Sequence, residues 1–207
     1  KPVVTQFDLI EENMAQEARI QQLRIGGTIT VGSSLLPYFI RDLKEACPET
    51  LLYSYVNNTR IIEKKILDME LDVAIVEGRI RHPDLVSTPL VHDMLVLACS
   101  SHHPFAGKSC LQVQKLAGQD FVMRESGSGT RELFEDFLRR HRLSIRTAFE
   151  ESSPDAIRNA IKINNCLGVV SIRLLEEDIR QKNIYVFTSP HREWNRLFSF
   201  VYHKDKY

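Results

Sequence analysis

The sequence has no excess of charge of either sign: 27 Lys and Arg are matched by 27 Asp and Glu, a formal net charge of +0 over 207 residues. Surfaces built to hold phosphate backbones carry a basic bias, so this stretch of chain is not expected to bind nucleic acid by itself. Cysteine is scarce. The four present, Cys47, Cys99, Cys110 and Cys166, form no CxxC pair and have no histidine at ligand spacing, which argues against zinc and fits reduced, buried thiols in a cytoplasmic protein. The adjacent His102 and His103 point differently along the chain and read as loop residues, so no metal or other cofactor is expected. No apolar run approaches the roughly 20 residues of a membrane span, and the N-terminus lacks the apolar core of a signal peptide. What is present is ordinary for a soluble protein: 43% hydrophobic and 26% charged residues, sufficient for one good core or two smaller ones.

The first 25 residues differ from the rest. Phe7, Ile10, Met14, Ala18, Gln21 and Ile25 recur at spacings of three and four with charged residues between them, which predicts a narrow-striped connector helix broken by Gly26-Gly27. Strand and helix patterns then alternate. "TITVG" reads as a strand, "LLPYFIRDLKEACP" as a helix, "TLLYSYVN" as a strand, "NTRIIEKKILDME" as a helix and "LDVAIVEG" as a strand. After "DMLVLACS" the rhythm repeats through "DFVMRES", "TRELFEDFLRRH", "IRTAFEES", "SPDAIRNAIKIN", "LGVVSI", "RLLEEDIRQ", "IYVFTS" and "LFSFVYHK". Continuous apolar strands interleaved with helices predict parallel sheets covered on both faces, here as two α/β units with a ligand cleft between them.

The segment "MRESGSGTRELFEDFL" carries the strongest chemical signal. A Walker-type loop needs Lys and then Ser or Thr after its last glycine, whereas Gly129 is followed by Thr130-Arg131. A nucleophile elbow needs glycine two residues before its serine, but Ser126 stands two before Ser128. With no acid–base pair in view either, an enzyme is not expected. What remains is a helix N-terminus with free N–H donors and the hydroxyls of Ser126, Ser128 and Thr130 around Gly127, suited to a carboxylate or another small anion. Ser128 or Thr130 would equally serve as a simple helix cap. Ser33 and Ser34, between the first strand and its helix, offer the same donor geometry from the other unit, again with capping as the alternative. Glu77 and Gly78 end the strand "LDVAIVEG" where open sheets place ligands, although Glu77 also reads as a solvated strand-end charge. Ser153-Pro154 is an ordinary helix start, and Arg124 and Arg131 flank the loop as further candidates.

Taken in order, "LLPYFIRDLKEACPE", "NNTRIIEKKILDMELDVAIVEG", "HPDLVSTPLVHDMLVLACSSHHPFAG", "LAGQDFVMRESGSGTRELFEDFL", "SPDAIRNAI" and "LGVVS" resemble the effector-binding domain of LysR-type transcriptional regulators over nearly all the chain after residue 26. The resemblance implies an α/β fold of two small lobes with an interlobe cleft, similar to type 2 periplasmic binding proteins. Residues 1–25 would be the linker helix, 26–97 with 191–207 the first lobe, and 98–190 the second. It further implies a small-molecule effector held by Ser33, Ser34, Glu77, Gly78, Ser126, Gly127, Ser128 and Thr130. A homodimer or higher homo-oligomer would reach operator DNA through a helix-turn-helix domain upstream. Its dimer would set the first-lobe helix, at Tyr38 and Arg41, beside the partner's "RELFEDFLRRH", at Glu135 and Arg139. Met69 departs from the family by standing where glycine is usual after a helix. A solute-binding protein of a transport system, with the same bilobal fold, is the competing reading.

Overall fold

The computed structural model describes residues 22–108, 111–187 and 194–206. The predicted linker helix lies outside them up to residue 21, but its last four residues do not: Gln22–Thr28 is a strand, β1, running through both glycines. The glycines were read as a helix break, and the structure gives them a different task. A Cβ on Gly26 would come within 2.8 Å of Leu71 and 2.9 Å of Ala74, and one on Gly27 within 2.9 Å of Leu36. They let helices press on both faces of a buried central strand. "TITVG" is correspondingly no strand, because helix α1 (Ile29–Ser34) begins there.

The remaining elements follow the sequence pattern closely. Helix α2 (Leu36–Ala46), strand β2 (Leu51–Asn57), helix α3 (Thr59–Leu67) and strand β3 (Val73–Glu77) build the first lobe. Strand β4 (Leu85–Ser100) leads into the second, which holds β5 (Asp120–Arg124), α4 (Gly129–Arg140), β6 (Arg146–Glu151), α5 (Pro154–Asn164), β7 (Leu167–Ser171), α6 (Glu176–Arg180) and β8 (Ile184–Phe187). Strand β9 (Asn195–His203) returns to the first lobe. One sheet has the order β2-β1-β3-β9-β4, and a second joins β4 to β7 and β8, β7 to β5 and β5 to β6. The sheets are mixed, which corrects the all-parallel expectation. The βαβ units pair parallel, but β9 is antiparallel to both β3 and β4, and β4 is antiparallel to β7 and β8. Strand β4 pairs with β9 up to Met94 and with β7 from Leu95, so it serves both sheets in turn. Its first half escaped the sequence reading because it carries Pro89 and is largely exposed, with a register shift between Pro89 and Val91.

Each sheet is covered on both faces. In the first lobe Ile62, Ile66, Leu71 and Val76 pack on one side, and Ile25, Val31, Leu36 and Phe198 on the other. In the second, Phe121, Phe134, Phe137 and Trp194 form one layer and Val96, Val122, Ile157, Ile161 and Leu175 the opposite one. Cys99 and Cys166 lie buried in these layers, where burial raises both thiols, Cys99 to about 11; Cys47 is exposed, against expectation. Ser153 caps α5 as anticipated, accepting from Ala156 N at 3.5 Å with Pro154 following. Met69 sits at φ 56°, the left-handed conformation that glycine adopts without strain, which costs a side-chain-bearing residue about 1 kcal/mol.

A charged clamp secures the start of β1. Asp72 accepts from Arg24 N at 2.6 Å and Arg24 Nη2 at 2.9 Å, and also from Lys206. Burial opposes ionisation of Asp72, but hydrogen bonds from Arg24 and Lys206 outweigh it and hold the carboxyl down at about 2, against an ordinary value of 3.8. The folded pKa is depressed, so this stabilisation is present above pH about 4 and is lost as pH falls toward 2. Asp72→Asn should therefore destabilise the chain by about 2 kcal/mol at pH 7 in urea unfolding. The gap between the two proteins should close as the pH is lowered, and a gap independent of pH would refute the assignment.

Candidate functional site

The two lobes meet where the N-termini of α3 and α4 converge on the carboxyl end of β3. Asn58 caps α3, accepting from Ile61 N at 3.1 Å, while Arg60 N donates to Gly127 O at 3.2 Å across the lobe boundary. Thr59 Oγ1 donates to Glu77 O at 2.9 Å and accepts from Gly129 N at 3.3 Å, joining strand end to helix start. The approach is close enough to demand glycine. A Cβ on Gly129 would lie 2.7 Å from Glu77 O, and Gly78, at φ +96°, packs directly against Gly129.

Beneath this contact lies a buried charge network centred on Arg196 of β9. Its Nε donates to Asp93 Oδ2 at 2.7 Å, its Nη1 to Thr130 Oγ1 at 2.7 Å and its Nη2 to Thr30 Oγ1 at 3.4 Å. Nη2 also lies 3.0 Å from Glu77 Oε2, an ion-pair distance without hydrogen-bond alignment. Arg124 Nη1 stands 3.7 Å from Glu77 Oε1, and Ser171 Oγ donates to Asp93 Oδ1 at 2.7 Å. Glu77, Asp93, Arg124 and Arg196 are all buried. Arg124 also donates to Glu125 from Nε at 2.9 Å and Nη2 at 3.1 Å, and Arg173 Nε stands 3.5 Å from Asp93 Oδ1, so each buried charge has opposite charge beside it, which is what allows the four to leave water together.

At the contact between Thr59 and the start of α4 opens a pocket of about 380 Å³, lined by Thr59 and by Ser126, Gly127 and Ser128. Ser128 occupies the N-cap position of α4 but makes no capping bond, and its hydroxyl, in a residue 2% exposed, has no partner among the described residues. A buried hydroxyl left without a partner is costly, and Ser128 lines the pocket at the N-terminus of a 12-residue helix whose Gly129 N–H is already taken by Thr59. Three arginines and three glutamates rim the pocket. Arg131 is engaged by Glu135 at 2.7 Å and Glu150 at 2.6 Å, and Glu132 by Arg81 at 3.0 Å. Arg60 and Arg79, both exposed, have no carboxylate partner among the described residues. Glu63 has none either, and its carboxyl is pushed up by burial first and by neighbouring Glu132 second.

The structure thus brings together Glu77, Gly78, Ser126, Gly127, Ser128 and Thr130. It does not bring Ser33 and Ser34 to them in the way expected. Both lie in the last turn of α1, at its carbonyl end, with α2 beginning only at Leu36; Ser33 is exposed and Ser34 Oγ donates to Thr30 O at 2.6 Å. The error descends from the strand assigned to "TITVG": moving the helix start back to Ile29 makes Thr30 the residue that faces the network. Glu77 is not a solvated charge, being 1% exposed. Thr130 is no simple cap, since its hydroxyl accepts from Arg196 and lies 3.4 Å from Glu77 Oε1. Sequence reasoning missed Thr30, Arg60, Asp93 and Arg196. The available signal for the last two was an ionisable residue inside an otherwise apolar strand, in "HDMLVLACS" and "NRLFSFVYH". Among the described residues no three His, Cys, Asp or Glu side chains converge as a metal site.

Two α/β lobes linked by β4 and β9, with polar groups of both lobes converging between them, define a bilobal ligand-binding domain of the type 2 periplasmic-binding-protein class. The chain belongs to the LysR substrate binding domain family, whose model matches residues 16–207. It is 26% identical over 181 residues to the HTH-type transcriptional regulator CysL of Bacillus subtilis (strain 168), covering 87% of this chain and 60% of that protein. It is 28% identical over 206 residues to the hydrogen peroxide-inducible genes activator of Haemophilus influenzae, covering 98% of this chain and 68% of that one. Among solved structures, the Synechocystis PCC6803 CcmR regulatory domain in complex with 2-PG superposes with a TM-score of 0.81 at 25% identity over 88% of each chain. The chain therefore spans about three fifths of the length of CysL. Membership of a regulator family sets aside the transport reading.

Proposed function

We propose that this chain is the effector-sensing domain of a cytoplasmic LysR-type regulator and that a small anion docks in the interlobe pocket at the N-terminus of α4. The observation that carries this is the buried, unpartnered Ser128 hydroxyl, set beside the first-turn N–H groups of α4 and the unpaired Arg60. The CcmR neighbour, in complex with 2-PG, supports a small-molecule occupant for this fold. Because the floor and walls come from both lobes, an occupant favours the arrangement in which they fit together, and it shifts the population by its differential affinity alone. No chemistry need follow, so the domain senses and does not catalyse. The signal would pass to operator DNA through a helix-turn-helix domain upstream.

Oligomerisation fits the surface. Tyr38 on α2 and Leu51, Tyr53 and Val56 on the outer strand β2 are exposed, as is Phe149 on β6 at the far edge of the second lobe. Apolar groups gathered on such an edge mark an interaction surface. The expected edge residues Arg41, Glu135 and Arg139 are engaged with Asp42, Arg131 and Asp136 of their own chain, so β2 and β6 contribute to the homodimer contact as well as the helices.

The test uses inorganic phosphate as the probe. Phosphate should raise the melting temperature of the chain. Ser128→Ala should leave the ligand-free protein as stable or slightly more so, since it removes an unsatisfied buried group, and should weaken phosphate binding about tenfold in calorimetry. A variant that loses about 1 kcal/mol of stability while binding phosphate normally would reduce Ser128 to a helix cap.

A further inference from the structure

The pocket is not uniformly cationic. Thr59, which touches the start of α4, lies four residues before Glu63, about 6 Å along the helix axis. Glu63 is half-buried on the pocket wall and forms no hydrogen bond or ion pair with any described residue. The basic groups that face it are Arg81 and His82, in the loop after β3, and both are engaged elsewhere: Arg81 on Glu132 at 3.0 Å, and His82 Nδ1 accepting from Asp84 N at 3.2 Å. Glu132 of α4 faces it with a like charge. Arg60, one turn earlier on α3, lies toward Gly127 instead, its Nε 3.4 Å from where a Cβ on that glycine would stand.

The site therefore has two unlike ends. At one, a buried hydroxyl, helix-terminal N–H groups and an unpaired guanidinium await negative charge. At the other, a desolvated carboxylate awaits a donor. A purely anionic ligand that reaches from the Ser128 end to Glu63 meets like charge there.

Building on the anion reading above, we propose that the effector is a zwitterion whose ammonium group lies about one helical turn from its anionic group and pairs with Glu63. Burial and Glu132 both disfavour the ionised Glu63 carboxylate in the empty pocket, and an arriving ammonium relieves that penalty. Discrimination against a neutral isostere follows, because that ligand would leave the carboxylate desolvated and unpaired.

Phosphoethanolamine and propyl phosphate provide the matched probes, the second replacing the ammonium by a methyl group. In calorimetry at pH 7.5, phosphoethanolamine should bind at least about tenfold more tightly than propyl phosphate. Glu63→Gln should abolish that preference while keeping or improving propyl phosphate binding, which also reports that the variant is folded. Equal affinities in the native chain, or a preference that survives Glu63→Gln, would overturn the zwitterion assignment and leave the anion site standing. Failure of both phosphate esters to bind would remove the anion site and this assignment together.

Discussion

Replacing Arg196 by methionine should destabilise the folded chain by about 3–5 kcal/mol in urea unfolding, the range for removing one partner from a buried ion pair. The side chain is 3% exposed and is the main cation for two carboxylates, Asp93 and Glu77, themselves 0% and 1% exposed. Methionine fills similar volume, so packing alone predicts a small loss. The large one comes from stranding negative charge away from water. Lysine should rescue only part of it, because one ammonium cannot reproduce a planar fork that reaches Asp93, Thr130 and Thr30 at once. Adding Glu77→Gln and Asp93→Asn to Arg196→Met should recover a substantial share by removing the stranded charges. A loss below about 1 kcal/mol for Arg196→Met would mean that water reaches the carboxylates.

Gly129→Ala should be the substitution most damaging to effector binding relative to its size. At the first position of a helix, alanine is locally favourable, so intrinsic propensity predicts a slight gain. The added methyl would instead meet Glu77 O at 2.7 Å, Glu77 C at 3.1 Å and Gly78 Cα at 3.1 Å, all backbone atoms that cannot rotate aside. Relief requires the start of α4 to withdraw from the end of β3, which separates the lobes. Overpacking of this kind costs about 1–3 kcal/mol, and because the pocket exists only where the lobes fit, that cost should appear as a loss of phosphate affinity of about 5- to 150-fold. Calorimetry measures it directly. Native affinity in the alanine variant would show that the pocket tolerates a wider gap.

The loop around Ser126–Thr130 was legible in the sequence because its signals are local: glycines and hydroxyls directly before an amphipathic run leave few structural alternatives. Most strands and helices were legible for the same reason, their periodicity being set by which face is buried. Gly26 and Gly27 misled because glycine signals either a chain break or a close approach, and only the neighbours decide which. Here those neighbours, Leu71, Ala74 and Leu36, come from elsewhere in the chain. Asp93 and Arg196 were illegible for a related reason. They are 103 positions apart, and nothing within either strand says that the other will lie against it.

The place of β9 in the first sheet also governs the order in which the chain can be completed. The second lobe draws its sheet from one nearly continuous stretch, Leu95 to Phe187, and all of it has been made before the last strand emerges. The first lobe has no such independence. Until Asn195–His203 arrives, β3 and the first half of β4 face an empty slot that only β9 fills, with Leu85 waiting for His203 and Glu77 for Phe198. During synthesis the earlier-made lobe is therefore the later to close, and its open strand edges remain unpaired through most of translation. The same strand delivers Arg196, so Glu77 and Asp93 gain their nearest guanidinium only in the step that closes the sheet.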